Sequence, residues 1–200
     1  MLPEQAKEGV LDFGQIAREA IGQMPPETRF NKTHAETLVR HKDELMAFKD
    51  EFVKGFYDIL FAHPPTAKVF EEGERAERES TLGMFYERVL AGPHDEEFFA
   101  WLAFVGPVHV VRGVTNPMML AMTSYMVNFV RQRVKDHPEG DAILEAFVHL
   151  AATLGAIIAY GYEMAWKKAL ENVVGIPPTL SERAAHEEAK RLFPLRSHQS

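Results

Sequence analysis

Cysteine is absent from this chain of 200 residues. With it go disulfide scaffolds, thiolate metal sites, thiol nucleophiles and cofactors tethered through cysteine. The same absence fits a reducing, cytoplasmic setting. An excess of positive charge is also missing. Lys and Arg number 22 against 29 Asp and Glu, a formal charge of −7, whereas a nucleic-acid surface needs a concentrated basic face. No unbroken apolar run reaches about eighteen residues, so no membrane span is expected. The opening MLPEQAKEGVLDFGQ has neither the basic start nor the apolar core of a secretory leader. Alternating strand patterns, internal repeats, low-complexity tracts and a Gly-rich dinucleotide motif are all lacking.

What is present is a chain that is 46% hydrophobic, enough for one ordinary domain with a sizeable core. Its periodicity is helical throughout. Leu11, Phe13, Ile16, Ala20 and Ile21 suggest a short amphipathic helix, ended by Met24-Pro25-Pro26. Thr33 with Glu36 forms a capping-box pattern. From there to Ala62, Leu38, Leu45, Phe48, Phe52, Phe56, Ile59 and Leu60 recur at threes and fours, with a break expected near His41–Asp43. His63-Pro64-Pro65 stops this stretch. The run EEGERAERE reads as a solvated loop and first helical turn. Thr81, Leu82, Phe85, Val89 and Leu90 then mark a helix that ends at Gly92-Pro93.

A further helix opens at Asp95-Glu96-Glu97, with acids at its positive end. It contains Pro107, a kink site, and stops at Gly113. Asn116 caps the next helix with Pro117 at its first position, to about His137. The last long helix covers roughly Glu139–Val173, and a short charged helix and a frayed end follow Gly175. The chain is all-α. Its divisions are an N-terminal extension with an extra helix (1–32), a main helical domain (33–174) and a C-terminal tail (175–200).

One histidine stands out. Phe98, Leu102, Val105 and His109 fall at i, i+4, i+7 and i+11, on one helical face. His109 therefore closes an apolar stripe, with no acid beside it in sequence. It is either a neutral core residue bonded to a carbonyl or a ligand to something bound in the core. His149, between Val148 and Leu150 on the last long helix, is the competing candidate.

An all-α chain with a core-facing histidine late in a mid-chain helix is a haem-pocket arrangement, and the residues around it make the likeness specific. The order runs from Phe56-Tyr57 inside FVKGFYDIL through His63-Pro64 to Leu90-Ala91-Gly92. The acids Asp95-Glu96-Glu97 follow, then Val108-His109-Val110 and Arg112-Gly113-Val114. This order resembles the globin domain of globin-coupled sensors and protoglobins, over about residues 33 to 170. The extra helix before the usual globin start resembles that lineage too. The resemblance implies a globin fold and a b-type haem whose iron is held by His109 and binds O2, CO or NO. It places Tyr57 on the gas-binding side with Thr81 as a second polar residue. Phe56, Val105, Met118 and Met122 would line the haem, and Arg112 would reach a propionate.

Each of these residues also has an ordinary reading. Tyr57 can pack in the core, Thr81 can bond its own helix backbone, and Met118, Met119 and Met122 can be core filler. Arg112 can form a surface ion pair. The family usually carries a bulky aromatic pair where this chain has Met118-Met119. Two further functions stay open on sequence alone: haem redox chemistry such as NO dioxygenation or peroxidase-like turnover, and a haem-free signalling module. A carboxylate-bridged metal bundle would need inward Glu-x-x-His pairs. His34-x-Glu36 and His186-Glu187 lack that spacing, and Glu145-x-x-x-His149 is off by one. The wide apolar stripes of the last two long helices predict a homodimer through a four-helix interface. A separate signalling partner would read the state of the iron, or a separate reductase would supply its electrons.

Overall fold

The computed structural model describes residues 11–192; the start of the N-terminal extension and the end of the tail expected to fray lie outside them. Ten α-helices follow one another: α1 Phe13–Gln23, α2 Lys32–Arg40, α3 Lys42–Met46, α4 Lys49–Ala62, α5 Pro64–Ala67, α6 Arg75–Ala91, α7 Glu96–Arg112, α8 Asn116–Val134, α9 Gly140–Ala169 and α10 Pro178–Leu192. Among the described residues there is no strand, and the fold is all-α, consistent with a globin.

Local chemistry explains most boundaries. Asp12 caps α1 by accepting a hydrogen bond from Gln15 N. Asp95 does the same for Phe98 N at the start of α7. Pro64 and Pro65 occupy the first turn of α5, where a missing N–H costs nothing. Gly113 ends α7 in the left-handed region, at φ 72°. Its neighbour Val114 donates from its N–H to the His109 carbonyl at 2.9 Å.

Three expectations need correction. The capping box of α2 is built by Asn31 and His34, not by Thr33 and Glu36. Asn31 Oδ1 accepts from His34 N, while His34 Nδ1 accepts from Asn31 N, so an imidazole takes the place usually held by Glu or Gln. The stretch to Ala62 breaks twice, at His41 and again at Ala47–Phe48, where the Phe48 N–H bonds the Leu45 carbonyl three residues back. α8 has Thr115, not Asn116, at its N-cap and ends at Val134, short of His137. α9 is apolar enough by length and composition to cross a membrane, with a mean hydropathy of 1.9 over its most apolar window. That apolarity faces protein: more than half of the window is buried, against α1, α2, α7 and α8.

α9 is the axis of the fold. Its buried face runs through Ile143, Phe147, Leu150, Leu154, Ile157 and Ile158, and Thr153 on the same helix accepts a hydrogen bond from Phe30 N at 2.8 Å. α1 packs on α7 and α9, so the extra helix shares the core of the domain.

α7 passes through Pro107 as a continuous helix. Proline has no N–H, so the Ala103 carbonyl four residues earlier loses its helical partner. That carbonyl lies against Gly161 of α9: a Cβ built there would sit 2.7 Å from Ala103 O. A Cβ on Gly106 would sit 2.7 Å from Ile158 O and 2.9 Å from the Gly161 backbone. Both contacts are with backbone, which cannot move aside as a flexible side chain would. Gly161→Ala is therefore expected to cost about 1–3 kcal/mol of stability, measured by denaturant unfolding. An unchanged midpoint would show that the two helices do not depend on this crossing.

Candidate functional site

α4, α6, α7, α8 and α9 enclose an apolar cavity of about 340 Å³, within the range of small-molecule and cofactor sites. All eight residues singled out from the sequence line it: Phe56 and Tyr57 from α4, Thr81 from α6, Val105, His109 and Arg112 from α7, and Met118 and Met122 from α8. Met119 lines it as well. His149 does not; its ring stacks on His34 at 4.2 Å between centroids.

The stripe read from α7 divides by depth. Phe98 and Leu102 are fully buried in the core, while Leu102, Val105 and His109 open onto the cavity. His109 is held in a largely desolvated place. Burial first, and the nearby Arg112 cation second, push its pKa down to about 4. The imidazole is thus neutral at pH 7, and its Nδ1 is buried without a hydrogen-bond partner. A neutral imidazole with an orphaned nitrogen beside an apolar cavity fits a cofactor offering a Lewis-acid metal. The Tyr162 ring lies 6.0 Å from the His109 ring, and its hydroxyl donates to Val114 O at 2.8 Å, bracing the turn that ends α7.

Tyr57 is 7% exposed, and burial raises its pKa to about 12. It is a protonated phenol and a donor, and its hydroxyl gives its hydrogen bond to the Arg78 carbonyl at 2.9 Å. Phe56 packs edge-on against it. Thr81 is exposed at the rim, and its hydroxyl donates to Glu77 O at 3.0 Å, the helix-backbone bond weighed as its ordinary reading.

The charged run is not wholly solvated. Glu74 and Arg78 turn inward, with side chains only 11% and 19% exposed. Arg78 lines the cavity beside Arg112, and Glu74 Oε1 accepts a short hydrogen bond from Arg112 Nη1 and forms an ion pair with Arg78 Nε at 3.0 Å, without hydrogen-bond geometry. A backbone hydrogen bond from Glu71 N, then the one from Arg112, holds the Glu74 carboxyl below its ordinary range. Arg78 also pairs with Glu77, so the two guanidiniums meet two carboxylates at the edge of the apolar cavity and take an outside acidic group only in exchange for these pairings. Arg78 had no signal in the sequence, because its run shows no hydrophobic period. Phe70, Trp101, Leu154 and Ile158 also line the cavity.

The lowered pKa of His109 has a consequence for stability. An unfolded chain takes up a proton on this imidazole near pH 6.5, whereas the folded one resists until about pH 4. Between those values the unfolded state binds more protons, so stability falls as pH falls through this window. In the haem-free protein, His109→Leu is expected to flatten the stability loss between pH 6.5 and 4 by about 2–3 kcal/mol. Urea unfolding at several pH values measures it, and parallel curves for the two proteins would refute the assignment.

No curated protein matches the chain. The model of one family, Protoglobin, matches residues 25–167, a span that takes in α2 to α8, nearly all of α9 and every cavity-lining residue. Such membership carries a haem globin role in gas binding or sensing. A helical fold with this cavity, and a family match over most of its length, make the chain a member of the protoglobin family.

Proposed function

We propose that this protein holds a b-type haem in the cavity, with His109 as the iron ligand, and uses it to bind a diatomic gas reversibly. The observation that carries this reading is the neutral, desolvated imidazole of His109, whose Nδ1 has no partner, opening onto an apolar cavity that a buried phenol also lines. When bound, the haem supplies an iron able to take O2, CO or NO.

The chain's own residues set the terms of that chemistry. His109 keeps its lone pair at neutral pH because protonation is unfavourable in its desolvated setting. Tyr57 keeps its proton because burial disfavours the phenolate, and its hydroxyl can donate its hydrogen bond to the Arg78 carbonyl or into the cavity. Phe56, Val105, Met118 and Met122 exclude water. Arg78 and Arg112 would hold the acidic groups of a haem, exchanging for them part of their attraction to Glu74. The Met118-Met119 pair, where relatives carry aromatics, gives this wall polarisable, unbranched side chains that adapt to the ring plane.

The protein in this reading is a soluble cytoplasmic homodimer whose signalling or reductase partner is separate. The dimer face is the groove between α8 and α9, where Leu120 and Val148 stand 46% and 43% exposed above a floor of Ala151, Ala152 and Gly155. Light scattering at micromolar concentration should report a dimer, and Val148→Glu should yield a monomer. A wild-type monomer would remove this part of the reading.

The haem assignment is tested by absorption spectra of the haem-reconstituted protein: ferric, reduced, and reduced under CO. A sharp blue band that shifts at both steps is expected, with His109→Ala losing stoichiometric haem. Tyr57→Phe should keep the haem and release O2 about tenfold faster, the equivalent of one hydrogen bond. A flat visible spectrum in a folded protein would move the function to the haem-free signalling module.

A further inference from the structure

Away from the cavity, two corners of the fold meet through a group of histidines and carboxylates. His41 lies where α2 gives way to α3 and is 6% exposed. His137 and Glu139 lie between α8 and α9, and Glu44 is on α3. None of the four lines the cavity.

The tautomer of His41 follows from its neighbours. Its Nε2 is 3.1 Å from Glu139 Oε2, which also accepts from Arg40 Nη2 at 2.7 Å. The Glu139 carboxyl is held below its ordinary range, first by the bond to His41. Arg40 Nε also reaches toward His41 Nε2, at 3.5 Å the far limit of a hydrogen bond. An ionised carboxylate only accepts, so His41 Nε2 carries the proton and Nδ1 carries the lone pair. That Nδ1 is buried and has no hydrogen-bond partner. It faces Glu44 Oε1 at 3.7 Å. Two acceptors thus confront each other, one of them wholly desolvated, and a cation between them resolves the conflict.

The third donor is in place. His137 Nε2 lies 2.9 Å from Glu44 Oε2, and the two imidazole rings stand 5.1 Å apart and nearly perpendicular. One ligand atom from each of His41, Glu44 and His137 lies within 4.8 Å of the others. Donors around one tetrahedral ion with bonds of about 2.0–2.1 Å sit about 3.4 Å apart, so small side-chain rotations close the set.

We propose that His41 Nδ1, Glu44 and His137 Nε2 form a binding site for a borderline divalent cation of the zinc type, with Glu139 as the carboxylate that orients His41. Two imidazoles and one carboxylate suit Zn²⁺, Co²⁺ or Ni²⁺ and are poor ligands for Ca²⁺ or Mg²⁺, which require mostly oxygen. The His41–Glu139 bond is the outer-shell contact that fixes the tautomer and raises the basicity of a metal-bound histidine. Ligation through His137 Nε2 needs that ring's proton on Nδ1. The bond that Nδ1 now accepts from Glu139 N, at 3.0 Å and exposed, is given up in exchange. The ion joins the α2–α3 corner to the α8–α9 corner and stabilises the folded chain by binding it selectively. The site does not depend on the haem reading.

A second group, His34, Glu145 and His149, also collects three donors. There His149 Nδ1 is likewise buried without a partner, and His34 Nδ1 accepts from Asn31 N in the α2 cap; that group is the competing site, and His149→Gln separates the two. The test is calorimetric titration of the tag-free, chelator-treated, haem-loaded full chain with Zn²⁺, alongside thermal unfolding. One strong equivalent is expected, together with a higher Tm. Glu44→Gln and His137→Gln, at partly exposed positions, should each weaken binding at least tenfold and abolish the Tm rise. Glu139→Gln should weaken it 10- to 100-fold, and His149→Gln should leave it unchanged. The proposal is overturned by an absence of saturable Zn²⁺ binding, by equal binding in Glu44→Gln and His137→Gln, or by loss confined to His149→Gln. In the first case the orphaned His41 nitrogen serves a proton alone.

Discussion

The close crossing of α7 and α9 is the constraint on which the rest of the structure depends. Gly106 and Gly161 let two backbones meet where no Cβ fits. Pro107 frees the Ala103 carbonyl that occupies the gap, and a glycine Cα–H is a favourable neighbour for such a carbonyl. His109 follows Pro107 by two residues, so the crossing sets the depth of the imidazole. Beyond it, Gly113 turns the chain back, and Tyr162 on α9 holds that turn through Val114. A helix standing a few ångströms farther from α9 would let water reach His109, and the desolvation that keeps it neutral would fade.

That geometry explains which parts of the molecule were legible in the sequence. Helical periodicity carries information about which face is buried, and the stripe from Phe98 to His109 is therefore readable. Pro and Gly act locally, so the stops at His63-Pro64-Pro65, Gly92 and Gly113 were readable too. The order Phe56-Tyr57 to Val108-His109-Val110 carried the lineage. What stayed hidden depends on atoms far apart in sequence. Arg78 sits in a run whose charge pattern is that of any solvated helix start, and only the approach of Arg112, 34 positions later, draws it inward with Glu74. The His34 cap was missed because an imidazole at that position mimics a carboxamide only when its ring is turned back onto Asn31.

The polar groups of the cavity form one connected arrangement. The Tyr57 hydroxyl donates a hydrogen bond to the carbonyl of Arg78, and the guanidinium of that same residue meets Glu74. Glu74 also meets Arg112, whose charge contributes to lowering the pKa of His109. A change at Glu74 therefore acts at both ends. An anion that competes for Arg112 draws positive charge off His109, and one that moves Arg78 disturbs the acceptor of the Tyr57 hydroxyl. A chain of contacts through Arg78, Glu74 and Arg112 thus links the two faces of the cavity, carried by α4 and α7.

Five histidines with structural roles show how environment, not residue type, decides function in this fold. His109 and His41 each have a buried Nδ1 without a partner, yet their surroundings differ in kind. Around His109 the walls are apolar and the nearest charge is a cation, so nothing neutralises a proton or a lone free ion there, and a large apolar ligand carrying its own metal suits the place. Around His41 two carboxylates are present, Glu139 on one nitrogen and Glu44 facing the other, which favours a small bare cation. His34 and His149 stack on each other, and burial first and His149 second depress the His34 pKa. His94 bonds the Val89 carbonyl at 2.6 Å and closes the turn into α7. The same side chain thus caps, packs, closes a turn and offers a ligand within one helical domain, and the charge that faces its free nitrogen separates these roles.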